Sequence, residues 1–182
     1  MPLLIGLFIT LFITAIVEQI LSATWNRTYF EKGIRVYRKE ILLNKATEIE
    51  HLFNNLIRYS KSERKIENIT FNVLGNDCIP FREKMLSLDF LCFRYTPLMH
   101  GNIKFIPKEN KLEIYGVLYW FLPLFLACWY LFIALFFLNS NAIEYRVLIF
   151  ALFSFSPIVA LLIIYLIQKR KYDIIVEYLE SN

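Results

Sequence analysis

The sequence predicts an α+β membrane protein. Three transmembrane helices, one N-terminal and two forming a C-terminal hairpin, hold an inserted small antiparallel-sheet domain that carries one amphipathic helix. Three observations lead there. Residues 115–138 contain no charged side chain, and neither do residues 147–167. Each run is close to the ~20 apolar residues that cross a hydrocarbon core of ~30 Å. A third uncharged run covers residues 2–17 and resumes after Glu18 and Gln19 as far as Trp25. None of the three alternates polar with apolar, so they read as helices and not as barrel strands.

Composition agrees. Of 182 residues, 57% are hydrophobic and 17% aromatic, against roughly 45–50% apolar in a soluble domain. The excess needs lipid around it. A net charge of +4, with no basic cluster interleaved with exposed aromatics, gives no footprint for nucleic acid. The cysteines are Cys78, Cys92 and Cys128. An odd count without metal-type spacing predicts neither a disulfide framework nor a zinc site.

In chain order, the first element is a transmembrane helix over residues 2–25. No Lys or Arg precedes its apolar run, as a signal peptide would require, so a retained helix is expected. Trp25 and Tyr29 are its expected interfacial aromatics. Glu18 is the suggestive residue, because a carboxylate well inside a bilayer costs ~2.5–3.5 kcal/mol. Seven residues, about 10 Å of rise, separate it from Trp25. It is expected to reach the headgroup zone or to pair with Lys169 or Arg170. Glu18, Gln19, Lys169 and Arg170 are therefore the candidate intramembrane polar contact, with a structural role preferred to an ion or proton pathway.

Residues 26–114 form a membrane-apposed α+β domain. Gly33–Leu43 reads as a strand, with Ile34 and Val36 on one face and a bulge after Arg38. Ile49, Leu52, Phe53, Leu56 and Ile57 recur at helical spacing, and Thr47 and Glu50 stand at capping-box spacing, so a helix is expected over 46–60. His51 falls off its apolar stripe, toward solvent. Ser60–Asn68 is an expected loop. Ile69–Leu74 alternates like a strand, and Gly75–Asp77 is a turn signal. Cys78–Met85 and Leu88–Tyr95 are two further short strands, in which Arg82, Glu83 and Arg94 are expected on a solvated face. Asn102–Ile106 and Lys111–Tyr115, separated by Pro107–Asn110, form a hairpin.

That hairpin leads into the second transmembrane helix at 115–138. A short external link follows at 139–146, then the third helix at 147–167 and a tail at 168–182. Pro123 and Pro157 lie inside the crossings, where proline is tolerated and kinks a helix. Ile174, Ile175, Tyr178 and Leu179 share one side of the tail, which is expected to extend the third helix and dock on the domain.

Orientation follows the cations near the membrane. Arg27, Lys32, Arg35, Arg38 and Lys39 follow the first crossing, Lys104, Lys108 and Lys111 precede the second, and Lys169–Lys171 follow the third. The domain and the tail are expected in the cytoplasm, with the N-terminus outside and the cell's inner (plasma) membrane as the site.

Recognised catalytic patterns are missing. The five glycines are ungrouped, and no HExxH, GxSxG or CxxC occurs. A Cys78–His100–Asp77 grouping is the only enzyme-like combination, and the default reading of Cys78 is a small buried residue. No cofactor is expected. The sequence thus predicts a non-enzymatic interaction or regulatory subunit, whose partners are the lipid bilayer and either another protein or a second copy. The alternative is an oligomeric transport or pore-forming subunit with Glu18 near its pathway.

Overall fold

The computed structural model describes residues 2–42, 49–75, 77–83, 97–139 and 146–181. The elements run α1 (Pro2–Ala23), α2 (Arg27–Glu31), β1 (Arg35–Leu42), α3 (Ile49–Ser62), β2 (Ile69–Phe71), β3 (Cys78–Glu83), β4 (Met99–Ile106), β5 (Lys111–Leu118), α4 (Phe121–Asn139) and α5 (Arg146–Ser181), with a short 3-10 turn at Pro107–Glu109. The chain is mixed α+β with one antiparallel sheet, in the order β1-β5-β4-β3-β2.

One face of the sheet carries the core. Tyr37 and Ile41 of β1, Leu112 and Ile114 of β5, Met99 and Ile103 of β4, and Ile79 and Phe81 of β3 are buried there. Over them lie Leu56 of α3 and Tyr172, Ile175, Val176 and Leu179 of α5. The seat for α5 is made by two glycines. Gly101 and Gly116 face each other across β4 and β5. A Cβ at Gly101 would stand 2.0 Å from the Phe81 ring, and one at Gly116 would stand 3.0 Å from Tyr172. The missing side chains leave a trough in which Phe81 and Tyr172 meet edge-on, with ring centres 4.8 Å apart.

The helix α5 is continuous for 36 residues. Its first part is apolar and turned outward, with Phe155, Leu162 and Leu166 all more than half exposed. Its second part supplies the domain core. The expected tail is therefore the distal portion of the third helix itself. Two helices, α1 and α5, are long and apolar enough to cross a membrane, while the apolar stretch of α4 at Phe121–Leu135 is shorter. The apolar side chains of α1 and of the first part of α5 point mostly outward.

Several expectations change. Residues 115–118, taken as the start of the second crossing, belong to β5. That strand is covered on both faces, so it reads as unbroken apolarity, as buried strands do. The first helix stops at Ala23, where Trp25 takes a positive φ of 53°. The unforeseen α2 follows, capped by Asn26 Oδ1 on the Tyr29 N–H. Tyr29 is not an interfacial aromatic but a buried one. The β1 irregularity falls between Arg35 and Tyr37, before Arg38. This turns Tyr37 and Ile41 to the core and leaves Ile34 exposed. The helix α3 runs to Ser62, and β2 ends at Phe71, with Leu74 bridging Cys78. His51 is exposed on α3, beside Asn55. The hairpin of β4 and β5 forms as read. Thr47, Cys92, Arg94, the expected strand Leu88–Tyr95 and most of the external link lie outside the described residues.

Candidate functional site at the helix–sheet junction

The buried polar residues Glu18, Ser22, Glu83 and Gln168 gather where α1, α4 and α5 meet one end of the sheet. Glu18 and Ser22, one turn apart on α1, are 3% and 1% exposed. The first N–H groups of any helix have no partner within it. In α4 those donors turn to Glu18. Its Oε1 accepts the Trp120 N–H and, at 3.1 Å, the Tyr29 hydroxyl, while its Oε2 accepts the Phe121 N–H at 2.9 Å. A carboxylate at a helix N-terminus also meets the positive end of the peptide dipoles. One α1 side chain thereby ties together α1, α2 and α4.

On β3, consecutive residues point to opposite faces of the sheet. Arg82 turns toward α1, where it donates to Ser22 Oγ at 3.1 Å and lies 4.8 Å over the Trp25 ring. Glu83 turns toward α5, where it accepts from Gln168 Nε2 at 3.0 Å and from Lys171 Nζ at 2.5 Å. Gln168 is fully buried. Its Oε1 takes the Leu98 and Met99 N–H groups at 2.7 and 3.2 Å, and its Nε2 also reaches the Met99 carbonyl. The amide thus completes the backbone bonding at the start of β4. Arg82 and Glu83, expected on a solvated face, are instead the pins that fasten the sheet to α1 and α5.

His100 is buried under α2, stacked on Tyr29 with ring centres 4.4 Å apart and edge-on to Phe30 and Tyr119. Its Nε2 lies 3.1 Å from the Tyr29 carbonyl, so it is the protonated nitrogen, and Nδ1 finds no partner among the described residues. Burial pushes its pKa down to about 4, so the ring is neutral at pH 7.

The enzyme-like grouping does not assemble into a relay. Cys78 donates to Asn102 Oδ1, Asp77 pairs with Arg27, and His100 serves Tyr29. Burial pushes the Cys78 thiol up to about 11, away from the thiolate a nucleophile needs. Among the described residues no three His, Cys, Asp or Glu side chains come together as a metal requires.

No family model, no curated protein and no solved structure matches this chain. Its site is therefore read from geometry alone.

A cavity of about 380 Å³ opens beside Glu18. Its walls come from Ala15, Glu18 and Gln19 of α1, Phe121, Leu122 and Phe125 of α4, Leu161 and Ile164 of α5, and Pro97, Leu98 and Tyr119. Of the four sequence-predicted residues, Glu18 and Gln19 line this space, while Lys169 and Arg170 lie exposed on α5. The oxygens of Glu18 bond to backbone N–H groups and a phenol. On α5 it is Gln168 and Lys171, flanking the expected pair, that bond to Glu83 of the sheet. Gln168 could have been suspected as an amide between an apolar run and three cations. Arg82, Glu83 and Ser22 carried no local signal.

Proposed function

We propose that this chain is a multi-pass integral membrane protein. It acts as a non-enzymatic interaction or regulatory subunit, through a cytoplasmic domain held rigidly on its membrane helices. The observation that carries the reading is α5: one unbroken helix has an outward apolar first half and a second half that is the core of the sheet domain. A domain built around the end of a membrane helix moves with it, so displacement on one side of the membrane surface reaches the other.

In this reading α1, α4 and α5 all cross. The cations at Arg27–Lys39 and Lys169–Lys171 support a cytoplasmic domain with the N-terminus outside the inner membrane. The pathway reading of Glu18 is less supported, since a carboxylate occupied by the α4 N-terminus is committed to holding two helices together. Size-exclusion chromatography with light scattering in mild detergent, joined to in-cell crosslinking, tests the proposal. A defined partner or a stable homo-oligomer is expected; a solitary monomer with no crosslinked species counts against it.

A further inference from the structure

We infer that the cavity among α1, α4 and α5 is a binding site for one membrane lipid, with an acyl chain between the helices and a hydrogen-bond-donating headgroup at Glu18. The inference rests on the membrane reading above and on nothing about the domain's partner.

Its volume of about 380 Å³ lies within the range of small-molecule pockets, roughly 300–1,000 Å³. Its polarity is graded along its length. Ala15, Phe125 and Leu161 line the part away from the sheet, and Glu18, Gln19 and Tyr119 line the part beside it. That gradient suits an amphiphile with its polar end toward the domain. The neighbouring outer surfaces decide which amphiphile arrives. Ile16 and Ile20 of α1 and Leu162 and Ile163 of α5 are 43–55% exposed. In a bilayer these side chains touch acyl chains, so a molecule entering from the side is a lipid.

The polar end has unused bonding capacity. A carboxylate offers about four lone-pair sites. Oε1 uses two, for Trp120 and Tyr29, whereas among the described residues Oε2 accepts from Phe121 alone. The remaining site needs a donor in a region where water is scarce. An ammonium headgroup with N–H bonds, as in phosphatidylethanolamine, supplies that donor. The quaternary ammonium of phosphatidylcholine has no N–H to give.

The test reconstitutes the full chain into vesicles of equal phosphatidylethanolamine and phosphatidylcholine with identical acyl chains. Flotation follows, then re-extraction in mild detergent and native mass spectrometry. One retained lipid per chain is expected, with phosphatidylethanolamine enriched roughly fivefold or more, about 1 kcal/mol. Leu122→Trp and Leu161→Trp fill the cavity from two helices and are expected to abolish retention. Leu162→Trp, on the outer face of α5, is expected to keep it. Equal retention of the two lipids overturns the proposal, as does full retention by a folded filling variant. If neither variant folds, the headgroup ratio of the native chain decides. Failure to float overturns the membrane reading itself, whereas flotation without retained lipid overturns only the lipid site.

Discussion

Trp129 gives its indole N–H to the carbonyl of Phe153 at 3.0 Å, the carbonyl that Pro157 cannot serve. Proline has no N–H, so the acceptor four residues before it in a helix is orphaned. Where α4 and α5 lie in lipid, as proposed, no water can take its place. One residue on, Tyr130 donates to the Ser154 carbonyl at 2.8 Å. The proline and the two aromatic donors on α4 are therefore parts of one contact between α4 and α5. Trp129→Phe is expected to lower stability in detergent by ~0.6 kcal/mol, the average measured for hydrogen bonds between membrane helices, and by no more than ~1.7. In a Pro157→Ala background, where the helix serves Phe153 itself, the same change is expected to cost measurably less. Thermal unfolding of the four species closes the cycle, and additive losses would refute the coupling.

Glu18 supplies a second join, between α1 and α4. Glu18→Leu strands the Trp120 and Phe121 N–H groups and is expected to destabilise by ~1–3 kcal/mol, the cost of a buried unsatisfied donor. Glu18→Gln keeps an acceptor oxygen but loses the charge facing the helix dipole, so an intermediate loss is expected. Hydrogen exchange at Trp120 and Phe121 reports the effect directly: both amides should lose protection in Glu18→Leu while those in mid-sheet keep it.

Much of this contact system could not be read along the chain. The α3 helix and the β4–β5 hairpin were legible because their periodicities are local. The cap on α4 was not, since the acceptor Glu18 and the donors Trp120 and Phe121 lie 102 and 103 residues apart in sequence. The boundary between β5 and α4 was hidden for another reason. A strand buried on both faces and an apolar helix share the same composition, and Tyr115–Leu118 passed for membrane. Arg82 and Glu83 misled because charge in a strand defaults to solvent, and only the positions of Ser22, Gln168 and Lys171 show otherwise. Gly101 and Gly116 fell just outside the strands as read, so the close approach they allow in β4 and β5 was missed.

His100 makes the fold acid-sensitive. Its pKa falls from an ordinary 6.5 to about 4 in the folded chain because burial disfavours the imidazolium. Between those values the unfolded chain binds a proton that the folded chain refuses, so stability rises with pH across the window. It is complete above pH 6.5 and is lost as pH falls toward 4, by roughly 3 kcal/mol. Denaturation midpoints in detergent measured from about pH 7.5 to about 4 should show this slope. His100→Gln, which retains a donor for the Tyr29 carbonyl, should flatten the slope; an unchanged slope would assign the acid sensitivity elsewhere.

The glycine trough makes the sharpest prediction about how α5 is held. A methyl at position 101 would overlap the Phe81 ring at 2.0 Å, and that ring is itself wedged against Tyr172. Neither ring can retreat, because both are fully buried among Met99, Ile79 and Ile175. Gly101→Ala is therefore expected to cost at least the ~1–3 kcal/mol of overpacking a filled core, and to loosen the distal part of α5. Phe81→Leu alone leaves a void and is also destabilising. Placed together, the smaller side chain makes room for the new methyl. The double variant should thus be more stable than the sum of its parts, by more than the ~0.5 kcal/mol within which independent sites add. Crosslinking between positions 37 and 173, whose side chains are joined by the Tyr37–Asp173 hydrogen bond of 2.8 Å, should fall in Gly101→Ala and recover in the double variant. If the single variant unfolds outright, recovery of a melting transition in the double is the readout. If Phe81→Leu gives no relief, the trough does not seat the helix.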